Sequence, residues 1–118
     1  NPELAPYGQR AAEALKYYGM YDKVKSQFIL AENISQAAQF CLSGNAQFGF
    51  IALSLALSPT MRSVGNYYIV NDDVHGSLEQ AYVFLKRAKD NSFAQAFAKY
   101  VSSPQVIEIF ERYGYVLP

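Results

Sequence analysis

Two places in this sequence set a short loop in front of a fresh helix: Leu4-Ala5-Pro6-Tyr7-Gly8 and Ala31-Glu32-Asn33-Ile34. The start of an α-helix carries backbone N–H groups with no partner inside the helix, together with a positive partial charge. Such an end can hold an anion without Lys or Arg. Each charge-assisted N–H bond is worth roughly 1.5–3 kcal/mol, so two such ends facing one cleft could hold a small oxyanion. The pattern is unspecific on its own, because every α/β domain has helix starts. Tyr7 could add a phenolic hydrogen bond; with ten tyrosines in the chain, a loop tyrosine packing on its neighbours is the plainer alternative. Arg10 would attract an anion, but a solvated surface residue is the simpler expectation. Glu3 and Glu32 would repel one if they pointed inward.

The usual catalytic constellations are missing. His75 is the single histidine and sits in the polar stretch Asp72-Asp73-Val74-His75-Gly76. Metal sites and triads need convergent partners, so an exposed, idle loop histidine is expected, with no direct cation site. Cys41 falls on the apolar side of its predicted helix, which argues for a structural thiol rather than a nucleophile. Asp72-Asp73 suits a turn better than an acid–base pair. No phosphate-loop glycine pattern is present. Asn33-Ile34-Ser35 fits a glycosylation sequon, but a helix cap explains Asn33 better. The chain is therefore not expected to be an enzyme.

The bulk numbers set further bounds. The chain has 118 residues, enough for one small domain. Hydrophobic residues make up 51%, so it can build a core; charged residues make up only 17%. Ten basic and ten acidic side chains give a formal net charge of zero, which argues against nucleic acid and anionic membranes as partners. The apolar stretches are far short of a bilayer span, so a soluble chain is expected. One cysteine rules out an internal disulfide. The opening Asn1-Pro2-Glu3 has no Met and no basic, apolar leader, the pattern of a mature or cut chain. No internal repeat appears.

The elements that must position these residues alternate between helix and strand. The spacing predicts a helix over Gln9 to Tyr18, with Ala11, Ala12, Leu15 and Tyr18 on one face and Gly19 as its stop. Tyr21 to Lys25 adds a short turn. A second helix runs from Ile34 to Leu42, with Asn33 as N-cap, Gln36 as the capping-box partner and Gly44 as its end. Apolar runs at Phe28 to Ala31, Phe48 to Leu53, Tyr67 to Val70 and Gln80 to Leu85 are strand candidates. Asn91 or Ser92 caps a helix bearing Phe93, Ala96, Phe97, Tyr100 and Val101. Ser103-Pro104 starts the last helix, with proline at the favoured first position, and Gly114 ends it. This alternation predicts an α/β layer with a partly parallel sheet.

Several stretches together resemble a known family. NPELAPYG with AAEALKYYGMYDKVK, then AENISQAAQFCLSGNAQFGFIALS, YVFLKRAKDNSFAQAFAKYVSSPQ and the ending IFERYGY are collinear with the periplasmic molybdate-binding proteins of bacterial ABC uptake systems. The match covers nearly the whole chain, and the order and spacing of the segments carry it more than any single motif. Members of that family are about twice as long and fold as two α/β lobes around a cleft, the type II periplasmic-binding-protein plan. On that plan this chain starts partway into the second lobe. Residues 1–80 supply most of that lobe, and residues 81–118 supply a hinge-crossing strand and C-terminal helices that pack on the first lobe.

The resemblance also implies a site. The family holds its tetrahedral dianion with backbone N–H groups, hydroxyls, amides and often one tyrosine. Tyr7 falls at the position before the first helix where some members have a ligating tyrosine, and Ile34 at the helix start whose backbone N–H meets the oxyanion. Gly8 and Asn33 are the secondary candidates beside them. Other members place a ligating tyrosine at the position of Ala52, so the resemblance implies that this contact is absent here and that Tyr7 replaces it. A site of donors alone suits a fully ionised anion, because hydrogen phosphate would also need an acceptor.

The implied function is capture of molybdate or tungstate in the periplasm and delivery to an ABC permease, with that oxyanion as ligand and no cofactor. This chain would supply part of the site and need its missing N-terminal half, or a second copy, to complete it. The competing readings are a ligand-sensing regulatory module of the same fold, and an inactive fragment.

Overall fold

Pro6 fixes where the first helix begins. In the computed structural model, which describes residues 1–117, α1 spans Pro6–Tyr17, with Ala5 extended before it at φ −137°, ψ 135°. Proline suits this place because the N–H it lacks would have no acceptor inside the helix. The helix thus opens ahead of the predicted Gln9, where apolar periodicity alone had set its start. Gly19 ends it at φ 63°, a left-handed conformation that glycine adopts without penalty. The buried side of α1 is formed by Ala12 and Ala14: of the predicted face only Ala12 is buried, Ala11 and Leu15 are half-buried, and Tyr18 is 52% exposed.

After α1 come α2 (Tyr21–Val24) and a 3-10 turn, Lys25–Gln27. The rings of Tyr21 and Phe28 meet edge to face with centroids 5.6 Å apart. Then α3 (Ile34–Leu42) forms over the predicted residues, ending at Gly44 with φ 75°. A short helix not foreseen in the sequence, α4 (Leu53–Ala56), follows Ala52. Asp72–Val74 make a 3-10 turn in which the Asn71 side chain accepts the Asp73 amide at 3.1 Å, which fits the turn expected of Asp72-Asp73.

The chain divides into two compact units, the first Asn1–Leu78 and the second from Glu79 onward. The first holds all the buried apolar residues among those described: Ala12, Ala14, Ala38, Ala52, Ala56 and Val74. Five of these six are alanines, and a buried methyl contributes far less than the roughly 1.5–3 kcal/mol of a buried Leu or Phe. Small side chains allow close approach of backbone, so glycine contacts matter here. A Cβ on Gly49 would strike the Sγ of Cys41 on α3. Cys41 is half-buried, less enclosed than the buried thiol its place on the apolar side of α3 suggested, and its sulfur packs against Gly49.

In the second unit, Asn91 caps α5 (Ser92–Val101) by accepting the amides of Phe93 and Ala94 at 3.0 and 3.1 Å. Pro104 occupies the first turn of α6 (Pro104–Arg112), and Gly114 closes it at φ 80°. These two helices contact each other. Their large apolar side chains remain open: Phe93 is 85% exposed and Phe97 67%.

The four predicted strand segments are not paired into ladders among the described residues. A strand needs a neighbour about 4.8 Å away to receive its N–H and C=O groups. Apolar pattern records a segment that suits such a place, not the presence of the neighbour. Tyr68 at 81% and Val83 at 78% exposure mark faces that no second strand covers here. No helix among the described residues is long and apolar enough to cross a membrane.

Candidate functional site

All four sequence-derived site residues lie in first turns of helices of the first unit. Asn33 is the N-cap of α3, at φ −150°, ψ 170°. Its Oδ1 accepts the Gln36 amide at 2.9 Å. Gln36 reaches back, but to the amide of Glu32 at 2.7 Å, one residue beyond the N-cap its predicted capping-box role would serve. The cap thus uses the Gln36 amide and the Asn33 carbonyl, which accepts Ala37 N–H at 3.2 Å. Ile34 and Ser35 remain at the mouth of the helix, and among the described residues no acceptor is recorded for their N–H groups. Asn33 therefore sets the helix start, while its own side chain is engaged.

On α1, Pro6 brings no N–H, so the first amides of that helix belong to Tyr7 and Gly8. Tyr7 is half-buried. Gly8 has a reason of its own to be glycine. The first five residues fold into a turn in which the Asn1 carbonyl accepts Ala5 N–H at 3.1 Å and the Asn1 side chain accepts Glu3 N–H at 3.0 Å. That turn lies directly on Gly8: a Cβ there would collide with the Asn1 carbonyl and stand 2.7 Å from the Pro2 nitrogen. Ala52 is only 6% exposed and precedes α4.

Arg10 departs from the expectation of a solvated surface residue. One guanidinium nitrogen donates to Glu13 Oε1 at 2.6 Å, and its Nε donates to the Ser77 carbonyl at 3.0 Å. The other oxygen of Glu13 accepts the Gly76 amide at 2.8 Å. The guanidinium lies so close to Gly76 that a Cβ there would stand 2.7 Å from its nearest nitrogen. The Gly76 amide first, and then the Arg10 guanidinium, hold the Glu13 carboxyl below its ordinary range, with His75 adding a smaller attraction. The one cation on the first turns of α1 is therefore balanced by its neighbour, and the helix start keeps a donor character without a net charge.

His75 also departs from expectation. Its side chain is only 13% exposed, and Nδ1 lies 2.8 Å from the Gly76 carbonyl. Nε2 is 3.9 Å from Asp72, too long for a strong pair. The histidine packs at the Gly76 turn. The clamp formed by Arg10, Glu13, Gly76 and Ser77 was not legible beforehand. Only the i,i+3 spacing of Arg10 and Glu13 hinted at a pair.

No group of three or more His, Cys, Asp or Glu able to hold a metal ion occurs among the described residues. An open depression of about 440 Å³ lies elsewhere, in the second unit, lined by Phe84, Leu85, Lys86, Lys89 and Gln95. It holds none of the candidate residues.

Comparison with known proteins places this arrangement in context. The family model described as "Bacterial extracellular solute-binding protein" matches residues 1–116. The molybdate-binding protein ModA of Azotobacter vinelandii is 37% identical over 117 residues, covering 99% of this chain and 46% of the relative. ModA of Rhodobacter capsulatus is 32% identical over 116 residues, covering 98% and 45%. A solved structure of the Azotobacter vinelandii periplasmic molybdate-binding protein superposes with a TM-score of 0.89 at 28% identity, over all of this chain and 52% of that one. The chain spans about half the length of the curated relatives it matches.

Proposed function

The chain belongs to the bacterial extracellular solute-binding protein family, and we propose that it supplies part of a site for a tetrahedral oxyanion, molybdate or tungstate. Its fold is one portion of a periplasmic binding protein, as the sequence resemblance implied. The whole receptor would capture the anion in the periplasm and deliver it to an ABC-type permease, binding without catalysis or cofactor. The observation that carries this reading is the mouth of α3. Asn33 spends its side chain on Gln36 and leaves the Ile34 and Ser35 amides to face an anion, with no lysine or arginine in that turn. Similarity to two molybdate-binding proteins along nearly the whole chain supports it.

In this reading Tyr7 and Ile34 are the oxyanion contacts, Tyr7 through its phenol and Ile34 through its backbone N–H, with Gly8 and Asn33 shaping the two turns. Both helix starts converge on one anion. Residues 1–80 form most of the second lobe; residues 81–118 cross the hinge and pack on the first lobe. The open faces of Phe93 and Phe97 support that assignment, since large apolar side chains at 85% and 67% exposure call for a cover. The remaining half of a receptor of the relatives' length is the natural cover, with a second copy as the alternative.

The test is titration calorimetry with molybdate on the full-length protein that carries this sequence. Tyr7→Phe is expected to weaken binding about tenfold, the loss of one hydrogen bond to a charged group. Ile34→Val should leave affinity unchanged, because the contact is through backbone. An Ile34→Val variant more damaged than Tyr7→Phe would reverse the assignment, and a wild type indifferent to molybdate and tungstate would end it.

A further inference from the structure

The Arg10–Glu13 pair reaches farther across the sequence than any other side-chain interaction described above. It grips two consecutive residues 63 and 67 positions away: Glu13 takes the Gly76 amide and Arg10 takes the Ser77 carbonyl. Ser77 is followed by Leu78, the last residue of the first unit. Arg10 lies on α1 three residues after Tyr7, and Glu13 three residues after Arg10, so each is the helix-surface neighbour of the one before. Gly76 is stripped of a side chain where the guanidinium rests on it.

We propose that Arg10 and Glu13 are positioning residues for the oxyanion site: together they lock α1, and with it the Tyr7 turn, to the place where the chain leaves the first unit. This rests on the reading of Tyr7 as an oxyanion contact. A helix moves as a stiff body, so its first turn is set by whatever anchors its middle. Arg10 and Glu13 supply that anchor in two directions, one donating and one accepting, which fixes α1 against both sliding and rolling. Hydrogen bonds to an anion weaken steeply with misalignment, so a site can depend on an ion pair that never touches the ligand. The pair also cancels its own charge. Without Glu13 the guanidinium would be an unbalanced cation one turn from the site, an attraction that favours the anion. Weaker binding on removing Glu13 therefore reports the lost lock and not the changed charge.

The experiment is a binding cycle on the full-length protein with molybdate as the probe, joined to amide exchange at Gly76. Glu13→Gln should weaken molybdate binding by about fivefold, and Arg10→Lys, which keeps the charge but loses the guanidinium fork, by a similar factor. If Glu13 acts through Tyr7, the double variant Glu13→Gln/Tyr7→Phe binds within about twofold of Tyr7→Phe alone, because coupled sites do not add. The Gly76 amide should exchange faster in Glu13→Gln than in the wild type. Losses that multiply in the double variant, or unchanged affinity in both single variants, would overturn the proposal; a general loss of stability would lower the melting temperature but leave the losses multiplicative. Equal Gly76 exchange in wild type and Glu13→Gln would sink the lock itself while molybdate binding stands. A wild type that ignores molybdate yet protects Gly76 would sink the proposal through the oxyanion reading, with the lock intact.

Discussion

Glu13 on α1 accepts the amide of Gly76 at 2.8 Å, a bond between residues 63 positions apart. Its partner oxygen holds Arg10 at 2.6 Å, so both carboxylate oxygens are engaged at once. An ionised carboxylate has an acceptor oxygen for each of these two donors.

The pH dependence of this clamp has a sign. The Gly76 amide and Arg10 lower the Glu13 pKa in the folded state, so the clamp contributes in full above the ordinary carboxylate pKa of about 4.3. It is lost as pH falls through the depressed folded value. Glu13→Gln should therefore melt below the wild type at pH 7, and the two melting temperatures should converge as acidification carries the pH down through the depressed folded value. Curves that stay parallel across that range would mean the carboxylate does not bear on stability.

Gly8 and Gly49 are both crowded, but against different things. At Gly8 the obstacle is the Asn1 backbone, which cannot swing away; at Gly49 it is the Cys41 sulfur, the end of a short side chain. Gly8→Ala should destabilise by about 1–3 kcal/mol, the usual cost of overpacking, with no second change to rescue it on α3. Gly49→Ala should recover most of its loss when combined with Cys41→Ala. Urea midpoints of the four proteins check both statements, and a Gly8→Ala variant as stable as wild type would remove the Asn1 contact from the account.

Asn33 separates stability from binding. Asn33→Ala deletes the bond to the Gln36 amide and should cost about 1 kcal/mol, as lost N-caps do. Asn33→Asp keeps an acceptor and suits the helix dipole, so stability should hold or rise slightly. The same carboxylate would repel a dianion at the mouth of α3, so oxyanion affinity should fall at least tenfold. Retained affinity in Asn33→Asp, measured by calorimetry, would move the anion away from this helix start.

The second unit predicts association. Phe93, Phe97 and Tyr100 lie along α5 at four- and three-residue spacing and are 85%, 67% and 57% exposed. Covering each is worth roughly 1.5–3 kcal/mol, a large share of the 5–15 kcal/mol that holds a small domain together. The 118-residue chain is expected to associate with its complementary half or with a copy of itself, and sedimentation velocity reads this directly. A well-folded monomer with no partner and no oxyanion would contradict it.

What the sequence determined by itself was local. Asn33 and Gln36 announced the start of α3, Pro104 the start of α6, and Gly19, Gly44 and Gly114 the helix ends, because caps and stops act within about four residues. The same locality made Tyr7 and Ile34 legible as helix-start residues and the family legible from collinear segments. The tertiary structure alone decided which side of α1 is buried, since Ala12 and Ala14 turn inward and Tyr18 does not. It decided that Arg10 and His75 are engaged at Gly76 rather than idle in solvent. It left the four apolar runs unpaired among the described residues, because a strand is defined by a neighbour and not by its own pattern. Contacts across 63 or 67 residues join side chains whose spacing carries no period, so Glu13 could not reveal Gly76 until the chain had folded.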